Sequence, residues 1–355
     1  MRVVHVAQIE INPNGGMGRI AFHWREAFLR RGHEFIHVGP GSQATKLHIR
    51  MFPYRARREV RSLSPDVIVA HEPASGTMFG LGAPVVLFSH GIERRGEEVN
   101  GGFGSKMSLK SSIVSYVFRI RIADRGLRRS HLLMLSNEED KSYAQTRYGR
   151  TERDIFVFRN GANPNPSPSL QPNSGKTVAF VGSWLPRKGI RILAAAAELV
   201  QKQRGDTHWI LAGTGDTLER ILATWPESCH ASTTVIPSFA PDEEQSILAR
   251  AGTFALPSYL EGQPLSLVEA MNAGQCCVTT RCCGQMDLIE SGTNGLLVEP
   301  GDVNGLAAAL NTALGNDALR KELGRRARES VADRSWELVS NEVVDHVEAT
   351  CRAGR

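Results

Sequence analysis

The sequence predicts an α/β protein made of two doubly wound, Rossmann-like domains that face each other across a cleft. The chain has 355 residues, which is more than one hydrophobic core usually organises. Short runs rich in valine and isoleucine alternate with helical stretches in two successive series, as in proteins with parallel sheets. A proline-rich stretch without periodicity, residues 162–175, separates the two series and indicates a linker.

Each series predicts the strands of one domain, the first over residues 1–165 and the second over residues 172–335. A final helical run at about 336–355 is expected to pack back on the first domain. Ligands of such sheets bind beyond the carboxyl ends of the strands, so the cleft is the expected site. The strand-like runs are VVHVAQI, EFIHVG, DVIVAH, PVVLFSHG, HLLMLS and DIFVFRNG, then TVAFVGS, THWILAG, TTVIPSF, TFALPS, CCVTT and GLLVEPG.

Composition predicts an ordinary soluble, cytoplasmic protein. Hydrophobic residues make up 41% of the chain and charged residues 22%, which is a globular rather than a disordered balance. The first residues, MRVVHVAQIEI, alternate as a strand does and contain no signal-peptide core. No stretch approaches about 18 consecutive apolar residues, so no membrane-spanning helix is expected.

The six cysteines, at positions 229, 276, 277, 282, 283 and 351, are expected to be thiols rather than metal ligands. The run CCVTTRCC lacks the ligand spacing of a zinc site. Adjacent residues of a strand point to opposite faces, so Cys276 and Cys277 would not easily share one ion. Small buried thiols in a reducing compartment are the favoured interpretation.

The stretch YLEGQPLSLVEAM places two glutamates eight residues apart around a predicted helix start. Pro264 suits the first turn of a helix, and the residues from Leu265 onward are good helix formers. Glu261 then lies in the loop before the helix, whereas Glu269 lies roughly 7 Å along its axis. The N–H groups of Leu265 and Ser266 would attract a phosphate. Taken alone, both glutamates could instead be exposed residues that complement the helix dipole.

Further candidate residues follow other predicted strands. His90 ends the run PVVLFSHG, Arg187 and Lys188 lie in GSWLPRKG, and Gly213 lies in LAGTGD. The two basic residues could reach a diphosphate, although a solvated basic turn is the commoner interpretation of such a pair. A lone histidine is more often a hydrogen-bonded structural residue, but His90 is expected to face the cleft.

The loop NPNGGMGR follows the first strand and precedes a helix expected over roughly residues 17–31. Gly15 and Gly16 would let the backbone approach a ligand closely. The portion GMGRIA matches the loose dinucleotide fingerprint, so an NAD-dependent oxidoreductase is an alternative function. Two features argue against it: several residues separate the match from the strand, and EFIHVGPG ends without an acidic residue for a ribose.

Taken together, these motifs resemble those of the family-four glycosyltransferases, which are retaining enzymes of the GT-B fold. EGQPLSLVEAM is the most specific of the matching motifs, and the glycine loop is the least specific. The resemblance covers nearly the whole chain, through NGGMGR, SHG, RNGAN, FVGSWLPRKG, LAGTGD, EGQPLSLVEAMNAG and NGLLVEPGD.

The resemblance implies transfer of a sugar from a nucleotide-diphosphate donor. Glu261 would bind hydroxyls of the donor sugar, and Glu269 would bind the ribose hydroxyls. The helix start at Leu265 and Ser266 would take the distal phosphate. A UDP-hexose or UDP-N-acetylhexosamine is favoured as donor, and a glycan or lipid-linked glycan as acceptor, with no role for nucleic acid. His90 and the backbone of the glycine loop would position sugar and acceptor.

The chain departs from the family pattern at Ser183 and at the run 282–284. Ser183 stands where the family usually has arginine, although the guanidinium of Arg187 could reach the same phosphate. The run Cys282–Gly284 replaces a common glycine pair. Ser183 is the one feature that favours a second alternative, a non-catalytic nucleotide-sugar sensor. The two glutamates and Lys188 argue against that alternative.

No cofactor is expected. Metal-dependent glycosyltransferases place a D-x-D motif at the diphosphate, and this chain contains no such motif. Lys188, Arg187 and the helix start would stabilise the leaving diphosphate instead. The enzyme is therefore predicted to be metal-independent, with a front-face displacement in which the leaving phosphate helps to deprotonate the acceptor.

Charge is distributed unevenly along the chain. Residues 1–165 hold 25 lysines and arginines against 15 acidic residues, whereas residues 166–355 hold 17 against 22. Residues 105–129, together with RARREVR at 55–61, predict a peripheral contact with an anionic membrane surface; the alternative is a solvated basic face. On a helical wheel, the apolar stripe contains Leu109, Ile113, Tyr116, Ile120, Ala123 and Leu127, and the basic side contains Lys110, Arg121, Arg125, Arg128 and Arg129.

Overall fold

The protein divides into two α/β units in the computed structural model, which describes residues 1–41, 46–100, 116–164 and 174–353. The first unit contains Met1–Asn160 and the residues from Trp336 onward, and the second contains Gly161–Ser335. Each unit is built on one six-stranded parallel sheet. The predicted fold class, two doubly wound α/β domains, is therefore confirmed.

The strands are short and mostly buried, because helices cover both faces of a parallel sheet. The first unit has the strand order β2-β1-β3-β4-β5-β6, and the second has the order β12-β11-β10-β7-β8-β9. The strands are β1 (Arg2–Val6), β2 (Glu34–Val38), β3 (Val67–His71), β4 (Val85–Ser89), β5 (Leu132–Leu135), β6 (Ile155–Val157), β7 (Thr177–Val181), β8 (His208–Ala212), β9 (Thr233–Ile236), β10 (Thr253–Leu256), β11 (Cys276–Thr280) and β12 (Leu296–Val298).

Helices alternate with these strands along the chain. They are α1 (Gly16–Arg30), α2 (Lys46–Ser62), α3 (Glu93–Asn100), α4 (Arg121–Arg129), α5 (Glu138–Tyr148), α6 (Ile190–Arg204), α7 (Leu218–Leu222), α8 (Glu244–Leu248), α9 (Leu265–Asn272), α10 (Val303–Gly315), α11 (Asp317–Ser330) and α12 (Trp336–Ala353). Shorter helical turns are Ala74–Thr77, Tyr116–Ile120 (a π-helical turn), Glu152–Asp154, Ser174–Lys176, Pro186–Lys188, Glu227–Ser232 and Cys283–Gln285. None of the helices in the described ranges combines the length and apolar character needed to cross a bilayer.

The C-terminal helix α12 packs within the first unit, against α1. The ring of Trp336, the first residue of α12, stacks on His23 of α1 with centroids 4.2 Å apart. Arg31, at the end of α1, forms a 2.6 Å ion pair with Asp345. Several buried valines of α12 provide the apolar side of this contact.

Each sheet has a point where the strand order reverses, and the candidate residues follow the strands that meet there. In the second unit, β7 lies between β10 and β8. The basic turn at Arg187 follows β7, Gly213 follows β8, and Glu261 follows β10. In the first unit, β1 lies between β2 and β3, and the glycine loop follows β1. Such reversal points are where doubly wound sheets bind ligands.

Candidate active site

The loops after β7 and β10 pack directly against each other. The backbone N–H of Tyr259 donates to the Arg187 carbonyl at 2.9 Å. Gly189 has a φ of +70°, and a Cβ there would lie 1.9 Å from the Pro257 carbonyl oxygen. Only glycine fits such an approach. The close contact places the basic turn beside the loop that carries Glu261.

Glu261 and Lys188 form a largely buried ion pair. The Lys188 Nζ lies 2.6 Å from Glu261 Oε1, and the two residues are 9% and 8% exposed. The same carboxylate oxygen accepts a hydrogen bond from the Ser258 hydroxyl at 2.8 Å and lies 3.7 Å from Arg187 Nη1. An ammonium group has three N–H donors, so Lys188 can hold Glu261 and still bind a further oxygen.

The helix α9 starts next to this pair. Its first intrahelical bonds run from the Leu267 and Val268 N–H groups to the Pro264 carbonyl. The N–H groups of Leu265 and Ser266 precede those bonds and so have no acceptor within the helix. Both residues are half-buried. The result is a helix end suited to an anion, as the sequence predicts.

Glu269 lies on α9 and is fully buried. Its Oε1 accepts a hydrogen bond from the backbone N–H of Asn163 at 3.0 Å, and its Oε2 accepts one from Gln245 Nε2 at 2.7 Å. Burying a carboxylate is costly unless such bonds compensate it. The alternative in which the two glutamates are exposed residues is therefore wrong for both Glu269 and Glu261.

Gly182 and Gly213 follow β7 and β8, and Gly182 packs against Lys188. Gly182 N–H donates to the Ala212 carbonyl at 2.9 Å, and a Cβ on Gly182 would lie 3.7 Å from Lys188 Cε. Gly213 has a φ of +65°, and a Cβ there would lie 3.1 Å from the Phe239 ring. Ser183 follows Gly182 with an exposed side chain.

The glycine loop of the first unit turns sharply into α1. Gly15 precedes the helix, and Gly16, its first residue, has a φ of +57°. The Asn12 side chain closes the loop by accepting from the Asn14 N–H at 3.0 Å. A Cβ on Gly18 would lie 2.7 Å from the Glu10 carbonyl oxygen, so this position favours glycine.

His90 follows β4 and lies among aromatic rings. Its ring centroid lies 5.7 Å from those of His71 and Phe88 and 5.5 Å from that of Phe158. Burial, with a smaller contribution from His71, lowers the pKa of His90 to about 3. His90 is therefore a neutral imidazole near pH 7, which donates or accepts a hydrogen bond but carries no charge.

Sequence reasoning missed a buried carboxyl that accepts a hydrogen bond from Ser89, the residue before His90. Glu72 follows β3, and its Oε2 accepts from the Ser89 hydroxyl at 2.6 Å and from the Glu93 N–H at 3.4 Å. Its Oε1 is buried with no hydrogen-bond partner among the described residues. Burial, followed by repulsion from Glu93, raises the pKa of Glu72 to about 8. The run HEPASG offered no periodicity or motif that singled this residue out.

Comparison with known families accounts for both units. A model described as Glycosyl transferases group 1 matches residues 164–330, and one described as Glycosyltransferase Family 4 matches residues 14–165. The chain belongs to glycosyltransferase family four. The resemblance to family-four glycosyltransferases, inferred from the motifs, is confirmed. Neither family model supports the NAD-dependent oxidoreductase alternative.

Relatives of this family-four glycosyltransferase are distant. An uncharacterized glycosyltransferase of Methanocaldococcus jannaschii is 28% identical over 210 residues, which are 57% of this chain and 57% of that one. Sucrose-phosphate synthase from Thermosynechococcus elongatus has a TM-score of 0.80 at 17% identity, covering 99% of this chain and 100% of that one. HepE from Anabaena, in complex with UDP and glucose, has a TM-score of 0.71 at 17% identity, covering 98% and 99%. The structural likeness shows the GT-B fold.

Three partners of the two glutamates escaped the sequence reasoning. Ser258 holds Glu261, while Gln245 and Asn163 hold Glu269. Asn163 lies in the matching motif RNGAN, which was the one available signal. Ser258 and Gln245 lie in unremarkable segments, and only their position in the fold reveals them. Among the described residues, no three His, Cys, Asp or Glu side chains are grouped as a metal site.

Proposed function

We propose that this chain is a retaining glycosyltransferase that moves a hexose or N-acetylhexosamine from a UDP-linked donor to a glycan or lipid-linked acceptor. The observation that carries the proposal is the order of groups along the second unit. The buried Lys188–Glu261 pair lies on one side of the α9 start, and the buried carboxylate of Glu269 lies further along the helix. This order matches sugar, diphosphate and ribose in a nucleotide-sugar.

Each group has a chemical task in this proposal. Glu261 accepts hydrogen bonds from hydroxyls of the donor sugar, and Glu269 accepts them from the ribose. Lys188, Arg187 and the N–H groups of Leu265 and Ser266 bind the diphosphate. Negative charge grows on the leaving oxygen as the glycosidic bond breaks, and fixed positive groups there stabilise the transition state.

Metal independence and retention are parts of the same proposal. The chain has no D-x-D motif, and the basic groups at the α9 start supply the positive charge that a metal would otherwise supply. The leaving phosphate would accept the acceptor proton on the same face from which it departs. His90, as a neutral imidazole, would position the sugar or the acceptor by a hydrogen bond.

UDP is the favoured nucleotide. The structure of HepE, which has the same fold, holds UDP and glucose, and this likeness supports the choice of donor for the present chain. Incubation with a panel of UDP- and GDP-sugars, scored by release of free nucleotide, tests the proposal. Binding without release would favour the sensor alternative, for which Ser183 is the supporting residue.

Peripheral membrane contact is proposed for the basic face of the first unit. Of the predicted apolar stripe, Leu109 and Ile113 lie outside the described residues, as does Lys110 of the basic side. Ile120, Ala123 and Leu127 are buried, while Arg121, Arg125, Arg128 and Arg129 are exposed. Tyr116 departs from the stripe and is 48% exposed, because the π-helical turn before α4 changes the residue spacing.

The helix α2 extends this face. The guanidinium groups of Arg125 and Arg129 lie 5.7 and 4.9 Å from the Phe79 ring centroid, and Arg57 of α2 donates to the Phe79 carbonyl at 2.8 Å. The two helices thus meet at Phe79. Exposed apolar side chains of α2 stand among its exposed arginines, a combination that suits the interface of an anionic bilayer. They are Ile49, Met51 and Tyr54, with Arg50, Arg55 and Arg58.

A further inference from the structure

The turn at Cys282–Gly284 packs directly on the loop that carries Glu261. The Gly284 N–H donates to the Glu261 carbonyl at 3.4 Å, and a Cβ on Gly284 would lie 1.7 Å from the Gly262 carbonyl oxygen. Cys283 has a φ of +46°, which side-chain-bearing residues rarely adopt. A cysteine is thus held in a strained conformation beside the candidate donor site.

The side-chain amide of Gln285 donates a hydrogen bond to the sulfur of Cys282, the neighbour of Cys283. Gln285 Nε2 donates to Cys282 Sγ at 2.9 Å, and the Thr280 hydroxyl lies 3.6 Å away. Cys282 is half-buried, unlike Cys283, which is buried. A hydrogen bond from Cys283 lowers the pKa of the Cys282 thiol against the opposing effect of burial. Donors that stabilise a thiolate make a cysteine reactive.

The other cysteines on the same strand have a different environment. Cys277 packs in the main core of the second unit, and Cys276 packs in a separate cluster on the opposite face. Burial raises the pKa of both thiols, that of Cys276 to about 12. These two cysteines are buried core residues with raised thiol pKa values, as the predicted buried thiols would be, whereas Cys282 is half-buried and its thiol pKa is lowered.

Ser258 links Cys282 to Glu261. Cys282 Sγ lies 3.4 Å from the Ser258 carbonyl, and the Ser258 hydroxyl donates to Glu261 Oε1 at 2.8 Å. The Ser258 carbonyl accepts hydrogen bonds from both the Cys282 thiol and the Thr280 hydroxyl. A chemical change at Cys282 therefore acts on the residue that holds Glu261 in place beside Lys188.

We propose that Cys282 and Cys283 form a dithiol modification site for peroxides, and that its oxidation suppresses use of the donor sugar by displacing Ser258 and Glu261. The expected loss of donor use rests on the proposed transferase function. The oxidation of the two thiols does not depend on that function.

The chemistry takes two steps. The Cys282 thiolate attacks one oxygen of hydrogen peroxide, the O–O bond breaks, and the departing hydroxide takes a proton to become water. The Cys283 sulfur then attacks the sulfur of the Cys282 sulfenic acid. An S–S bond forms, the S–O bond breaks, and the hydroxide leaves as a second water with the Cys283 proton. The two thiols lose two electrons, and one peroxide is reduced to two waters.

The product is expected to be readily reduced. Adjacent Cα atoms lie about 3.8 Å apart, whereas disulfides usually join Cα atoms separated by about 4.4–6.8 Å. A disulfide between neighbours is consequently strained, and strained disulfides are reduced more easily. The site is therefore expected to respond reversibly, returning to the dithiol with a small-molecule thiol.

The experiment compares four proteins that are reduced, desalted and treated with hydrogen peroxide: the wild type, Cys282→Ser, Cys283→Gly and the control Cys351→Ser. Cys351 lies on α12 of the first unit. Peptide mass spectrometry without alkylation reports the oxidation at residues 282–283, expected as a loss of about 2 Da in the wild type. Nucleotide release from the donor reports its consequence before and after dithiothreitol.

We expect at least about a tenfold loss of turnover in the peroxide-treated wild type and in Cys351→Ser, restored by dithiothreitol. Cys282→Ser retains hydrogen bonding and should resist peroxide. Cys283→Gly suits the positive φ and should fold well, but it lacks the second thiol. Its sulfenic acid should advance to the sulfinic acid, and dithiothreitol should not restore turnover.

Three results would overturn the inference: an unoxidised 282–283 peptide, unchanged turnover despite its oxidation, or an equal loss in Cys282→Ser. If the reduced wild type releases no nucleotide from any donor, the proposed function fails instead. In that case the mass change still tests whether the dithiol is oxidised. UDP affinity, measured by calorimetry before and after peroxide, tests whether the oxidation alters the candidate donor site.

Discussion

The Lys188 ammonium lies 2.6 Å from the Glu261 carboxylate, and each of these side chains is about nine-tenths buried. The two residues come from different loops of one sheet, after β7 and β10. Removing either partner of such a pair leaves a charge with poor access to water. A substitution at either residue is therefore expected to affect both the stability of the site and the charge available to the transfer reaction.

We predict that Glu261→Ala and Lys188→Ala each lower turnover by about 10²–10³, because Lys188 stabilises the charge that grows on the leaving diphosphate and Glu261 holds both the donor sugar and Lys188. Steady-state nucleotide release measures the effect, and circular dichroism checks that the fold is intact. Glu299→Ala is the matched control, since Glu299 is exposed and pairs only at the surface with Arg281. Turnover of Glu261→Ala close to that of the wild type would refute the site assignment.

Glu269→Ala is expected to weaken donor affinity more than turnover, since ribose contacts exist before and during the reaction. It also leaves the Asn163 N–H and the Gln245 amide without their acceptor, so the melting temperature should fall. Gln245→Ala should raise the donor KM by a smaller factor, of roughly two- to tenfold. An unchanged donor KM in Glu269→Ala would contradict the ribose role.

Stability should fall as the pH rises from about 4.5 to about 8, because of Glu72. Its pKa is raised to about 8 from an ordinary value near 4.5. The stabilisation from its buried, protonated form is complete below pH 4.5 and is lost as the pH rises through 8. Glu72→Gln should therefore be more stable than the wild type at pH 9, on the order of 1–3 kcal/mol. Chemical denaturation at pH 6 and 9 measures this, and an equal difference at both values would refute it.

Acid should destabilise the first unit through its buried histidines. Burial lowers the pKa of His71 to about 4. The stabilisation from a neutral His71 is present above pH 6.5 and is lost as the pH falls through 4. His71→Gln should lessen the slope of unfolding free energy against pH between about 6.5 and 4. An unaltered slope would mean that the ring is protonated without cost in the folded state.

Exhaustive chelation should leave donor turnover unchanged, since the basic turn and the α9 start supply the positive charge at the diphosphate. Assays with and without a strong chelator, followed by addition of Mg²⁺ or Mn²⁺, test this expectation. A strict requirement for Mn²⁺ would contradict the metal-free mechanism.

Binding to anionic vesicles should be salt-sensitive and should depend on the arginines of α4. Changing Arg121, Arg125 and Arg128 to Ser removes three charges, each expected to contribute about 1 kcal/mol near the surface. Co-sedimentation at low and high salt measures the loss. The matched control changes Lys321, Arg325 and Arg326 of α11 to Ser in the other unit. Binding that is absent, or indifferent to salt and to the α4 changes, would favour a soluble acceptor.

Much of the fold follows from local patterns. Each predicted strand run contains a strand, most of these strands are largely buried, and α1 begins at Gly16, one residue before the expected start. The helix at Leu265 starts where Pro264 and the following residues predict it. Such features depend on neighbours in sequence, because φ limits, helix propensity and side-chain alternation act over a few residues.

The amino-acid sequence by itself determined the two α/β series, the family and the positions of Glu261, Glu269 and Lys188. Only the tertiary structure decided what surrounds them. The Asn163 N–H reaches Glu269 across 106 residues of sequence, and Gln245 reaches it across 24. The burial of Glu72 and Cys282 also depends on residues distant in sequence, because loops from different strands meet at the strand ends. Hydrogen bonding and desolvation act through space, and chain order carries little record of which distant groups will meet.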